Sequence, residues 1–129
     1  MEARGNYNQL MNLSDDVRQV MRHWVTGVAV VTTRFGSLRH GMTVNSLTSV
    51  SLEPPILSIS MINQTRTYAL TRRSGIIGVT ILSEAQQQLS ERFAGHIPEE
   101  MDRFAGLETF ELLTGAPLLA GGLAFMDCR

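Results

Sequence analysis

The chain has 129 residues and a mass of 14.3 kDa, which suits one domain with a single buried core. Its apolar content of 43% and formal charge of −1 exclude a basic grip on nucleic acid or on an anionic membrane. No apolar run approaches the ~20 residues of a spanning helix.

Residues 1–13 are polar, lack the apolar centre of a signal peptide, and are expected to form a mobile arm. A cytoplasmic location is the default. Ser14 reads as a helix N-cap, with Asp15 and Asp16 in the first turn where the dipole favours acids. Val17, Val20, Met21 and Trp24 fall on one helical face, and Gly27 is expected to end the helix. His23 near that end reads as dipole complementation or, alternatively, as a catalytic group. Val28 to Thr33 is β-branched and short, a strand buried on both faces, and Phe35-Gly36-Ser37 is a hairpin turn.

The stretch from Gly41 to Pro55 is unusual. Six residues between Thr43 and Ser51 are Ser, Thr or Asn. Its apolar positions also change parity, from Met42 and Val44 to Leu47 and back to Val50 and Leu52. Each switch requires a bulge or turn in a strand. Such a segment either wraps a polar ligand or is simply a Ser/Thr-rich strand with an irregular end. Glu53-Pro54-Pro55 stops it. Ile56 to Ile62 reads as a cleaner strand, with Leu57, Ile59 and Met61 on one face and Ser58 and Ser60 on the other.

A short helix opens at Asn63 to Thr67, capped by Thr65 or Thr67, running to Arg73 and closing at Gly75. Its N-terminus, with Arg66 and two Thr hydroxyls, suits either a phosphate or plain capping. Ile76 to Leu82 is another strand. Ser83 to Gln86 fits a capping box opening a helix with Ala85, Leu89 and Phe93 inward and Gly95 at its end. Pro98 to Phe104 reads as a further short helix. Its acids Glu99, Glu100 and Asp102 suit a solvated helix start, and no metal site is expected. Phe110 to Leu113 and Leu118 to Cys128 read as strands. Six strands or so with three short helices suit an open or closed barrel, and closure requires an edge partner. The ending at 123–129 reads like the middle of a β-domain, so a further C-terminal portion or a second chain is expected to supply the edge.

All eleven basic residues are arginines, a bias that GC-rich coding would also produce. The lack of lysine removes Schiff-base chemistry and the P-loop lysine, so an anion must be held by Arg forks, hydroxyls and backbone N–H groups. Cys128 is the only cysteine, too few for an internal disulfide or a zinc site. No G-x-G-x-x-G follows a strand, and no G-x-S-x-G elbow or His pair at metal spacing is present.

Taken in series, the motifs resemble the flavin reductase-like family, the FMN-binding split barrel. They are Arg22-His-Trp-Val-Thr-Gly-Val-Ala-Val-Val-Thr32, His40-Gly-Met-Thr-Val-Asn-Ser-Leu-Thr-Ser-Val-Ser-Leu-Glu-Pro-Pro55, Gln64-Thr-Arg-Thr67, Val79-Thr-Ile-Leu82, Leu89-Ser-Glu-Arg-Phe-Ala94, Arg103-Phe104 and Gly115-Ala-Pro-Leu118. The resemblance covers residues 18–128. It implies a mainly β, antiparallel Greek-key split barrel with short flanking helices over 14–129, truncated at its C-terminal end. It further implies a homodimer that binds FMN or FAD without a covalent link. Thr43, Val44, Asn45 and Ser46 would line the ring and ribityl chain. Ser49 and Ser51 would continue the site, with Ser60, Met61 and Ile62 on the neighbouring strand. Arg66 and Thr67 would meet the phosphate, and Phe93 and Ala94 would close one side. His40 would contact the nicotinamide or a flavin carbonyl, or stand in a surface turn. Thr80 departs from the family, which commonly has Asn there. The family's later Gly-Asp-His-type segment, near the nicotinamide, is not in this sequence.

The activity implied is hydride transfer from NADH or NADPH to flavin, with the reduced flavin serving a partner monooxygenase. Backbone N–H groups near Asn45 and Ser46 would stabilise negative charge on the reduced ring. The cofactor carries the difficult chemistry, which accounts for the lack of a nucleophile or acid–base dyad. The alternatives are a flavin-binding or storage module without useful NAD(P)H turnover, and an inactive barrel fragment.

Overall fold

A computed structural model describes residues 13–129. Most of the arm expected over 1–13 lies outside the described residues. The first described element is helix α1, covering 13–21. There follow β1 (Ala29–Phe35), β2 (Leu38–Val44), β3 (Thr48–Leu52), β4 (Pro55–Ser58), α2 (Arg66–Ser74), β5 (Ile77–Ile81), α3 (Gln87–Phe93), β6 (Thr109–Phe110), β7 (Leu118–Leu119) and β8 (Ala124–Cys128). A 3-10 turn, Glu84–Gln86, leads into α3. The chain is mainly β with short helices, as the sequence implies.

The main sheet has the order β2-β1-β5-β8, and every neighbouring pair is antiparallel. β3 pairs with β4 and β6 with β7 as two smaller sheets. β1 lies inside the main sheet, and Ala29 through Thr33 are all buried. Alternate residues of β1 feed two separate clusters. Val30 joins Leu82, Phe93, Phe104 and Leu119 on one face. Ala29 and Val31 join Val44 and Val79 on the other, with Met42, Leu47, Ile59 and Met61 against them. A strand covered on both faces reads as a continuous β-branched run, and this one does. Its two threonines are buried without penalty, because Thr32 donates to Pro117 O and Thr33 to Ile76 O.

Several expected elements differ in extent. Ser14 is already helical, so it does not cap α1. The helix stops at 21 because the N–H groups of His23 and Trp24 turn to the carbonyls of Val20 and Met21, tightening the last turn. The strand expected over 56–62 is regular only to Ser58. Beyond it, Ser60 N and Ser60 O both engage Ser46 Oγ at 3.1 Å, and a hydroxyl replaces the ladder. The helix expected over 98–104 is a series of turns. The Asp102 carboxylate takes the N–H of Phe104, and the carbonyls of Asp102 and Ala105 accept from Arg92. One bond within the segment and two from Arg92 thus outcompete the helical ladder. Of the strand expected over 110–113 only Phe110 pairs with a partner, together with Thr109 before it. The run 118–128 divides at Gly121, whose φ of 86° reverses the chain, so β7 and β8 enter different sheets.

Other expectations hold closely. Helix α2 is capped by Thr65, which accepts from Tyr68 N, and closed by Gly75, whose N–H bonds Thr71 O. Ser83 and Gln86 form the capping box reciprocally. Thr80 is fully buried, and its hydroxyl accepts from Leu119 N at 3.1 Å. That departure from the family pattern fastens β7 to β5. Thr80→Val would keep the shape and strand the Leu119 N–H. We expect a loss of about 1–3 kcal/mol in urea unfolding, and an unchanged midpoint would show that the bond carries no stability.

Candidate functional site

β2 is an edge of the main sheet, and a cavity of about 440 Å³ lies along that edge, within the usual range for small-ligand pockets. Its walls come from β2, from the start of α2, from the end of α3 and from the turns around 99–103. The alternation of β2 explains how one strand serves both walls. Met42 points with the second core cluster, whereas Gly41 and Thr43 face α3. A Cβ at Gly41 would stand 3.0 Å from Val31 O and 3.1 Å from the Phe93 ring, so only glycine lets α3 lie this close. Phe93 then meets Phe104 edge to face, with ring centroids 5.1 Å apart.

Six of the residues assigned to the site from the sequence line this cavity: Thr43, Ile62, Arg66, Thr67, Phe93 and Ala94. The Thr43 hydroxyl donates to Ser90 O at 2.6 Å, so toward a ligand it is an acceptor. Asn45 is exposed and lines a second cavity of about 340 Å³ with Trp24, Val25 and Leu47. The side chains of Val44 and Met61 lie in or against the second core cluster, which leaves their backbone for any ligand. The Ser46 hydroxyl is spent on the backbone N–H and carbonyl of Ser60, stitching their two segments together. Ser49 and Ser51 flank the register shift between β3 and β4, and neither lines these two cavities. The parity changes read from the sequence are therefore real. One is the break between β2 and β3, the other this bulge.

Six residues outside that assignment also line the cavity, and two of them, His40 and Arg103, tie its elements together. His40 lines the cavity, and its Nδ1 lies 2.8 Å from the Thr67 hydroxyl, itself buried. Arg103 also lines it, and its Nη1 donates to Gly41 O at 2.9 Å and to Phe93 O at 3.0 Å. The sequence offered a signal for His40, its place beside Gly41. For Arg103 it offered only the Arg103-Phe104 motif, with no role attached, and this residue reaches β2 across about sixty residues of chain. Burial pushes the His40 pKa down to about 4, with Arg103 and Arg66 adding to the shift. Two guanidiniums, a neutral imidazole and the first turn of α2 thus border one cavity, with the Glu99 carboxylate also in its lining. The donors of such a set can hold a phosphate or similar anion.

Residues 21–129 match the family described as flavin reductase like domain. The chain belongs to that family. Over 111 residues it is 37% identical to the reductase subunit of a flavin-dependent monooxygenase from Rhodococcus jostii, covering 86% of this chain and 55% of that one. It is 38% identical to an NADH-dependent FMN reductase from Methylorubrum extorquens, covering 87% and 64%. An NADH:FAD oxidoreductase from Streptomyces globisporus superposes with a TM-score of 0.74 at 36% identity, covering 80% and 61%. The chain thus spans less than two thirds of each of these relatives. Its fold is the family's split barrel.

The His40 environment has a consequence for acid stability. Between about pH 6.5 and 4 the unfolded chain holds a proton on this ring that the folded chain does not. Stability therefore falls as pH is lowered through that window. His40→Gln is expected to flatten this part of the fall in denaturation midpoints. An equally steep fall in the variant would show that folding does not hold the ring neutral.

Proposed function

We propose that this chain is the flavin reductase-like domain, over 14–129, of an NAD(P)H:flavin oxidoreductase that binds FMN or FAD non-covalently. The observation that carries the reading is the cavity at the β2 edge, where Arg66 and Thr67 at the start of α2 face Thr43, the first residue of the hydroxyl-rich segment. The residues fit a flavin. The arginines and the α2 N-terminus suit its phosphate, and the backbone from Thr43 to Ser46 leads from this cavity toward the one containing Asn45. Bound flavin would supply the hydride-accepting ring, with NADH or NADPH as donor. The chain's own part is to hold and orient. Free N–H groups near Asn45 and Ser46 offer hydrogen bonds to negative charge on the ring. Phe93, locked between Gly41 and Phe104, keeps one wall of the phosphate end rigid and dry.

Relatives named as monooxygenase reductase subunits support delivery of the reduced flavin to a partner monooxygenase. The reading places the reaction in the cytoplasm, where the nicotinamide is. Purified protein should oxidise NADH or NADPH only when FMN or FAD is added. Flavin binding without that oxidation would identify a flavin-holding module, and failure to bind flavin would overturn the reading altogether. Arg66→Ala should weaken FMN binding about tenfold or more, the worth of a charge-assisted hydrogen bond, and leave riboflavin nearly unchanged.

A homodimer belongs to the same proposal. Val50, Leu52 and Ile56 on the β3–β4 ribbon are exposed, as are Val17, Val20 and Met21 on α1 and the following Trp24 and Val25. Apolar surface on this scale calls for a partner. Sedimentation should give a dimer, and Leu52→Glu with Ile56→Glu should shift it to monomer. A wild-type monomer at micromolar concentration would remove the dimer from the proposal.

A further inference from the structure

We propose that His40 and Arg103 act with Arg66 to select a terminal phosphate, so that this chain takes FMN in preference to FAD; this rests on the reading of the β2-edge cavity as the flavin phosphate end. The three groups come from three parts of the chain. Arg66 opens α2, His40 lies on β2, and Arg103 arrives from the turns after residue 98. Arg103 is already fixed by its bonds to Gly41 O and Phe93 O, so placing its charge at the cavity costs no further ordering. The Thr67 hydroxyl occupies His40 Nδ1 and leaves Nε2 as the remaining polar atom of a ring that lines the cavity.

A terminal phosphate carries close to two negative charges and three free oxygens. Each phosphate inside a dinucleotide's pyrophosphate carries one charge and two free oxygens, with the chain continuing beyond it. Burial first, and the two cations in addition, keep the ring neutral in the free protein; a dianion between Arg66 and Arg103 gives His40 an anion to donate to and offsets the cations' part of that effect. A third donor thus becomes a third positive charge only for the terminal group. The other groups are the Thr67 hydroxyl, Thr33 opposite His40 on β1, and Glu99 in the lining of the same cavity. Glu99 is the counter-charge felt by Arg103. The second phosphate of a pyrophosphate entering the same cavity meets this carboxylate of like sign.

The test is binding of FMN, FAD and riboflavin to the full chain, followed by flavin fluorescence. Wild type should bind FMN about tenfold tighter than FAD, the equivalent of one added charge-assisted contact. His40→Gln keeps a neutral donor but cannot charge, and should bring the two affinities to within about threefold, a loss of roughly half that contact. Riboflavin affinity should not move. Arg103→Gln should do the same, and Glu99→Gln should tighten FAD. Because Arg103 also ties α3 to β2, its variant is read only if its melting temperature is kept, and His40→Gln decides the matter otherwise. Equal or tighter binding of FAD by wild type overturns the selectivity, as does an FMN:FAD ratio that His40→Gln leaves unmoved. If Arg66→Ala weakens FMN and riboflavin equally, the phosphate-end reading itself has failed. If Arg66→Ala is selective for FMN while the ratio ignores His40, only the selectivity has failed.

Discussion

The free edge of β2 sets the terms for the rest of the structure. An edge strand presents unpaired backbone groups, and proteins cover them, charge them or use them. Here a residue without a side chain sits on that edge. Gly41 lets the Phe93 ring approach within the space a Cβ would fill, and its carbonyl is taken by Arg103. The seat of α3, the edge-to-face pair of Phe93 and Phe104, and the cavity wall all follow from this contact. The site is therefore the region where the main sheet was left open and then partly closed by side chains.

Arginine does most of that closing. The turns from 98 to 106 have little regular structure of their own, yet three arginines reach them or leave them. Arg39 stacks over Phe104 at 4.6 Å and pairs with Asp102, whose carboxylate also holds the N–H of Phe104 and is kept ionised below the usual carboxylate range mainly by that bond. Arg92 takes carbonyls of the turns, and Arg103 leaves them to take carbonyls of β2 and α3. A guanidinium donates in several directions from one plane, which suits a single side chain to join two elements. A lysine ammonium has no such fork. The absence of lysine, read from the sequence as a limit on chemistry, thus coincides with an architecture that relies on planar donors.

Much of this was legible in the chain because its signals were local. Thr65 and Gly75 bracket α2, Ser83 and Gln86 close a capping box, and the run Ala29 to Thr33 declares a strand covered on both faces. The loss of step between Thr43 and Ser51 became a real break and bulge. What helix and strand patterns could not show was competition from side chains, most of them distant. Ser60 reads as strand until Ser46 claims its backbone, and Pro98 to Phe104 reads as helix until Arg92 and Asp102 claim theirs. The candidate site divided in the same way. Arg66 and Thr67 carried a helix-start signature, whereas Arg103 reaches the cavity through contacts to Phe93 O and, across more than sixty residues of chain, Gly41 O.

The bonds made by Arg92 and Arg103 also shape how such a chain drifts. Their acceptors are main-chain carbonyls of Gly41, Phe93, Asp102 and Ala105, and a carbonyl is present whatever residue occupies the position. Replacing Ala105 leaves its bond available, whereas replacing Arg92 deletes it. Gly41 and Phe93 are held in place by packing and not by this bond. The constraint is thus one-sided, with fixed donors and interchangeable acceptors. Correlated substitution, which reveals side-chain pairs that change together, has nothing to register between 92 and 105 although the two positions are joined.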